Sequence, residues 1–530
     1  MYAEKIFVNG TVYTMESEAE AVEAFAVRDH KIIAVGTTEE ISGFEYDEKI
    51  DLRGKTVLPG FIDAHLHLLA YGAGLLSVDL RGTESIGEAM DRVAKRAAET
   101  PEGEWIRGLN FDQEAFAERR LPTREELDAV STKHPILISR YCQHVHVANT
   151  KALEMAGIDR EYAKRVSYEL CNTDADGEPN GILCDTGVSP VLEIIPNPIA
   201  TYEAKKQAAK MVCWDMAKYG ITGAHTIRGK HVDLDEYLNI YQDLEDEGQL
   251  PVRIYASFDD YPNLPFRTGL GNEKVKYGYY KIYLDGSLGG RGAYFTEPYS
   301  DAPDTYGAMI HTPEEIDEMV DKANDMRLQI GVHCIGDKAI ECLVSAIEKA
   351  YAKNPRPDAR FRLIHVLGIN QDLIDRCKKL PVMFDVQPKF LASDVRWAED
   401  RLGPVRSHYG FAWKKLIDAG FVVTGSSDSP VEPYNPFLGI YAAVTRQGLD
   451  GWPEGGWYPE NKCSVYEALS MYTKNGAYAS FEEKIKGTIT PGKLADFIII
   501  NADPYRVEPA ALKDITVLKT YLGGETTYEK

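Results

Sequence analysis

The sequence predicts an α/β protein built on a (β/α)₈ barrel (a TIM barrel), with a β domain made from both chain ends and a long insertion inside the barrel. Three observations lead there. Short apolar runs alternate with amphipathic segments of helix length through the middle of the chain, the signature of a parallel sheet whose strands are crossed over by helices. The two ends share another style, β-rich runs separated by turn residues. Histidines and an aspartate recur where the central apolar runs stop, and the C-terminal ends of barrel strands are where chemistry is built.

At the N-terminal end, Lys5–Thr14, Ala24–Asp29 and Lys31–Gly36 read as strands of a small antiparallel sheet. At the other end, Gly487–Asn501 and Val517–Tyr521 repeat the style, so residues 1–56 and 486–530 are expected to pair into one β domain. Residues 57–485 are expected to form the barrel. Its eight predicted strands are Val57–His65, Ile221–Thr226, Val252–Ser257, Tyr279–Leu284, Leu328–His333, Phe361–His365, Val382–Gln387 and Phe421–Gly425. A βα unit takes about 30 residues, so the stretch 78–205 between the first two strands is read as an inserted subdomain that shapes the substrate pocket.

The first strand ends in His65-Leu-His67. Residues i and i+2 of a strand point to one face, so both imidazoles aim at one place, and imidazole is the commonest protein ligand for metals. Taken alone, the pair is equally readable as two packed histidines. Three more strand ends weigh against that: His333 follows Leu328–Val332, His365 closes Phe361–Ile364, and Asp428 follows Phe421–Ser427. A lone strand-end histidine is commonly structural and an Asp before Ser-Pro commonly caps a turn. Four histidines and an aspartate on one rim are not independent accidents.

Lys281, in Tyr277-Gly-Tyr-Tyr-Lys-Ile-Tyr-Leu-Asp-Gly286, is either a snorkelling edge residue or a buried amine of depressed pKa. A neutral buried amine can add carbon dioxide, giving a carbamate able to bridge two metal ions. Gly286-Ser-Leu-Gly-Gly-Arg-Gly292 lacks the Gly-Lys-Ser/Thr ending of a P-loop and reads as a close-packed loop. Asp337 is placed to orient His333 through its second nitrogen. Cys334 is expected to face the barrel wall.

The runs Leu58-Pro-Gly-Phe-Ile-Asp-Ala-His-Leu-His67, Val332-His-Cys-Ile-Gly-Asp337, Arg362-Leu-Ile-His365, Gly425-Ser-Ser-Asp-Ser-Pro430 and Gly492-Lys-Leu-Ala-Asp496, in this order, resemble the amidohydrolase superfamily. Lys281-Ile-Tyr-Leu-Asp-Gly-Ser-Leu288 and Ala442-Ala-Val-Thr-Arg446 further resemble amidohydrolase family 3, the branch of YtcJ-like proteins and N-substituted formamide deformylases. The resemblance implies a barrel carrying a β-sandwich from both termini. It also implies a binuclear centre: His65 and His67 on the more buried ion, His333 and His365 on the more exposed one, carboxylated Lys281 bridging, and Asp428 on the buried ion. Two departures stand out. Ile364 precedes His365 where relatives carry Glu, and Arg140-Tyr-Cys-Gln-His-Val-His-Val147 lacks the usual Asp-Gly before its first histidine. His144 in that segment, Arg291 and Gln387 are the candidate substrate contacts.

The expected reaction is hydrolysis of a non-peptide C–N bond in an N-acyl or N-formyl amine, cyclic amide or carbamate. A metal-activated hydroxide attacks the carbonyl, and Asp428 acts as general base and then acid. Zinc suits imidazole plus oxygen ligands, with manganese or iron as alternatives, and an uncarboxylated Lys281 would leave a mononuclear site. The same chemistry serves a deaminase or an esterase; a non-catalytic scaffold would have no reason to keep all six ligands. A net charge of -23 argues against nucleic acid and anionic membrane surfaces as partners, leaving a small-molecule substrate, with a homodimer open. No apolar leader-like or membrane-spanning run is evident, and the eight cysteines are scattered, so a reduced, cytoplasmic setting is expected.

Overall fold

Parallel strands follow one another in chain order around a nearly closed eight-stranded barrel: β1 Phe61–Leu66, β2 Ile221–Ile227, β3 Arg253–Phe258, β4 Val275–Tyr283, β5 Ile330–Cys334, β6 Phe361–His365, β7 Val382–Val386 and β8 Val423–Gly425. The computed structural model describes every residue except 19, 141–144, 169, 230–231 and 261–265. Strands β1, β2 and β3 are buried along their whole length, as strands covered on both faces must be, which is why they read as unbroken apolar runs. No ladder joins β8 to β1. Two backbone hydrogen bonds span that seam, from Asp428 N–H to the His65 carbonyl and from His67 N–H to the Ser429 carbonyl, each 2.8 Å. The buried Asp63 carboxylate ties the same seam, accepting from the N–H groups of His65 (3.2 Å) and Ser427 (3.1 Å).

The apolar run expected as one strand, Val57–His65, is two. Thr56–Pro59 pairs antiparallel with Phe497–Ile500 and parallel with Thr11–Tyr13, and the chain enters the barrel only at Phe61. Gly60 makes the transfer: a Cβ there would sit 2.2 Å from the Thr222 hydroxyl oxygen, so only glycine allows this approach. Hydrophobic periodicity is blind to a change of pairing partner. The terminal sheets are also mixed rather than purely antiparallel, because Tyr2–Val8 pairs parallel with Glu45–Asp51.

One terminal sheet has four strands, in the order Lys31–Gly36, Ala24–Arg28, Tyr2–Val8, Glu45–Asp51; the other has six, running from Glu525–Glu529 to Ala21–Val22. They share an apolar core in which Phe7 stacks on Phe25 at 4.6 Å and Phe497 meets both edge-on at 4.9 Å. Each such ring contributes about 1.5–3 kcal/mol by burial. The six-stranded sheet is pinned to the barrel base by a buried bidentate pair: Arg253, first residue of β3, donates to Asp496 at 2.7 and 2.9 Å.

Contact density divides the chain into a unit of Met1–Leu68 with Ala209–Lys530 and a unit of Leu69–Ala208. The second unit builds its own six-stranded mixed sheet, from Cys171–Thr173 at one edge to Val78–Asp79 at the other, with its own apolar clusters around Phe111, Leu127 and Ile136 and around Leu153, Leu183 and Val191. Among the described residues no helix is long and apolar enough to cross a membrane.

A second buried ionic cluster sits in the loop after the last barrel helix. Glu482 takes Lys276 at 2.9 Å and Lys486 at 2.6 Å, and although burial opposes ionisation, the two ammonium groups hold its carboxyl down at about 2. A depressed folded pKa means its stabilisation is complete above the unfolded value of about 4.3 and is lost as pH falls through about 2. Glu482→Gln is therefore expected to cost about 3–5 kcal/mol at pH 7, with the difference from wild type shrinking below pH 4 in acid-unfolding curves.

Candidate metal centre

Strand β4 alternates, so Tyr279, Lys281 and Tyr283 point inward at successive depths. Tyr279 Oη lies 2.8 Å from His65 Nδ1, Lys281 Nζ lies 3.4 Å from His65 Nε2, and Nζ sits 4.8 Å over the Tyr283 ring. Of the two readings open for Lys281, the structure selects the buried amine: it is 2% exposed, and burial pulls its pKa down to about 8.

His65 and His67 converge as expected from their spacing, although His67 lies just beyond β1. Both Nε2 atoms are 3.3 Å from Asp428 Oδ1, with the rings nearly perpendicular and 5.7 Å apart. From β5 and β6, the His333 and His365 rings meet at 4.4 Å, and His365 lies 5.5 Å from His65. The structure thus gathers His65, His67, Lys281, His333, His365 and Asp428 in one place. Two of them bend the backbone to get there: His365 and Asp428 have φ of +76° and +55°, uncommon for residues with a side chain and concentrated at functional sites.

Burial holds the His65 and His365 imidazoles well below their usual pKa and lowers His333 to about 4, so all three are neutral, the form that binds metals. Burial would raise Asp428, but the His65 and His67 imidazoles facing its carboxylate outweigh that and keep it well below the ordinary range. Asp428 Oδ1 and His333 Nε2 are buried and make no well-formed hydrogen bond, their nearest polar neighbours being the His65 and His67 Nε2 atoms at 3.3 Å and Asp285 at 3.4 Å. Donor atoms of His65, His365 and Asp428 lie within 4.8 Å of one another. Orphaned buried acceptors beside neutral imidazoles and a carboxylate fit a divalent metal ion.

The partners behind these groups differ from expectation. Asp337, expected behind His333, instead accepts from Thr296 N–H at 2.8 Å. The carboxylate beside His333 is Asp285, at 3.4 Å from Nε2, held by the N–H groups of Ile335, Gly336 and Tyr294 at 2.9–3.2 Å. Its position just past β4, another strand end, was the available signal. Burial raises its pKa to about 6 against those three bonds. Tyr279 was equally missed, two residues before Lys281 and on the same face. Gln387 is engaged at both ends, Oε1 2.6 Å from His365 Nδ1 and Nε2 2.9 Å from Ser426 Oγ. Arg291 forms a partly exposed pair with Asp301 at 2.8 Å. His144 lies outside the described residues. Cys334 is buried, its thiol directed at the Ile364 carbonyl.

Residues 48–528 match the model of the amidohydrolase family. The chain belongs to that family. This amidohydrolase is 35% identical to YtcJ of Bacillus subtilis (strain 168), named as an amidohydrolase, over 99% of both chains. It is 26% identical to an N-substituted formamide deformylase of Arthrobacter pascens, over 99% of this chain and 98% of that one. Among solved structures, an uncharacterized metal-dependent hydrolase from Pyrococcus horikoshii OT3 superposes with a TM-score of 0.75 at 29% identity, covering 95% of this chain and 99% of the other. The amidohydrolase is thus an enzyme, a hydrolase acting on C–N bonds. Ile364 itself is fully buried and packs with Tyr255 and Tyr279.

Proposed function

We propose that the protein hydrolyses a non-peptide C–N bond, in an N-acyl or N-formyl amine, cyclic amide or carbamate, at a centre of two divalent ions. In this reading His65, His67 and Asp428 would hold the more buried ion, His333 and His365 the more exposed one, and a carboxylated Lys281 would serve both. The observation that carries it is the convergence of these six side chains on Asp428 Oδ1, which is buried and makes no well-formed hydrogen bond to the imidazoles around it. The names of two relatives, a formamide deformylase and a metal-dependent hydrolase, support the same class. Zinc is the ion that a neutral-imidazole and oxygen donor set suits best. The terminal sheets, sharing one core, are read as a β-sandwich.

A divalent ion there supplies Lewis acidity toward a carbonyl and lowers the pKa of water. Asp428 accepts the proton of the attacking water and returns it to the departing nitrogen. Lys281, neutral in appreciable fraction near pH 8, would add carbon dioxide: the Nζ–C bond forms as one C–O π bond opens onto oxygen, Nζ releases one proton to water, and the neutral amine becomes a carbamate anion that cations would stabilise.

Metal-replete protein assayed against N-formyl and N-acetyl amines, cyclic amides, carbamates and esters tests the reaction; activity confined to esters overturns the C–N assignment. Lys281→Met is expected to lower bound metal from about two ions per chain to about one or none by elemental analysis. Wild type grown with ¹³C-bicarbonate should give a carbamate carbon resonance that the variant lacks, and an unmodified wild-type lysine refutes the bridge.

A further inference from the structure

Beneath the metal centre the barrel holds a charged pair that touches no ligand imidazole in the described hydrogen bonds. Arg362 on β6 and Asp385 on β7 are ion-paired with both side chains 0% exposed. Such a pair is poor evidence of stability, because desolvation consumes most of its Coulomb attraction and an apolar pair of similar volume often serves as well. Its connections suggest another role. We propose that the Arg362–Asp385 pair is a positioning unit for the metal centre, fixing through two separate branches the orientation of His65 and the orientation and proton placement of His365. The inference rests on the metal-centre reading above.

The first branch leads to His65. The Arg362 guanidinium lies 4.3 Å over the Tyr279 ring and donates to the carbonyl of Ala64, the residue before His65. Tyr279 Oη in turn lies 2.8 Å from His65 Nδ1. The ring against which the guanidinium stacks and the peptide it holds therefore set where the His65 imidazole sits. Arg362 also approaches His225 Nδ1 at 3.2 Å; because arginine only donates, that nitrogen accepts and the His225 proton sits on Nε2.

The second branch leads to His365. Asp385 Oδ1 accepts from Thr424 Oγ1 at 2.9 Å and lies 3.4 Å from Ser426 Oγ. Ser426 Oγ accepts from Gln387 Nε2 at 2.9 Å, which commits the amide donor. Gln387 must then present its oxygen to His365, at 2.6 Å from Nδ1, and an oxygen there requires Nδ1–H. The lone pair of His365 is left on Nε2. With Nδ1 protonated and hydrogen-bonded, the imidazole is a ligand of fixed tautomer, the arrangement that partners behind metal-bound histidines enforce.

The decisive variant removes both charges, Arg362→Met with Asp385→Leu, which avoids stranding either ion. The expected result is a melting temperature near wild type, a metal dissociation constant raised about 10- to 100-fold in chelator competition, and an altered visible spectrum of the cobalt(II)-substituted protein. Gln387→Leu and Tyr279→Phe sever one branch each and are expected to weaken metal binding and shift the cobalt spectrum while the protein stays folded. They carry the test should the double variant unfold. Wild-type affinity and spectrum in the folded double variant, or in both single variants, overturn the proposal. Failure of wild type itself to bind cobalt or zinc in the same assay would instead overturn the metal-centre reading, so the two failures are distinguishable.

Discussion

Asp428→Asn is expected to lower kcat/KM for the best C–N substrate by about 10²- to 10⁴-fold, the range for loss of a positioned acid–base group. Asparagine keeps the shape of the side chain but cannot accept the proton of water at neutral pH. The effect is large because Asp428 is the carboxylate within 3.3 Å of both His65 Nε2 and His67 Nε2, whereas Asp285, beside His333, is held by three backbone N–H groups and burial leaves the imidazole of His365 a weak base. Activity, metal content and melting temperature should be measured on one preparation. A variant that retains hydrolysis within tenfold of wild type would remove Asp428 from the proton-transfer role.

Asp496→Ala is expected to destabilise the barrel unit by about 3–5 kcal/mol, the usual consequence of stranding one charge of a buried pair. It leaves Arg253, 5% exposed, without its bidentate partner and frees the Gly523 N–H bonded at 2.8 Å. The pH dependence follows from the sign of the shift. Burial raises the Asp496 carboxyl, but Arg253 outweighs it and holds the folded pKa below the ordinary value. The stabilisation is therefore complete above the unfolded value of about 3.9 and disappears as pH falls through the folded one. Denaturant unfolding of wild type and variant should differ most at pH 6–8 and converge in acid below about pH 4. A difference under about 1 kcal/mol at neutral pH would show that the barrel base does not depend on this link.

All eight barrel strands were legible because parallel strands, covered on both faces, must be apolar along their length. The cluster of candidate ligands was legible because barrel chemistry collects at strand ends, and His65, His67, His333, His365 and Asp428, which the fold brings together, each stand at one. Lys281 was ambiguous, since a lysine among aromatic residues reads alike on an edge and in a core; its 2% exposure resolved it. Proximity in sequence points to Asp337 as the partner of His333, whereas the chain leaving β4 brings Asp285 to it through space. The break at Gly60 was hidden for a similar reason: Thr56–Pro59 and Phe61–Leu66 are equally apolar and differ in which strand they pair with.

Residue type and spacing along the chain by themselves determined the barrel and which histidines and aspartate gather at its rim, because burial on both faces and placement at strand ends leave periodic marks on a sequence. The tertiary structure alone decided the burial of Lys281, the partners of His333 and His365, and the ion pairs Arg362–Asp385 and Arg253–Asp496. Those properties depend on distance and desolvation between residues far apart in the chain, and neither quantity has a counterpart in local sequence.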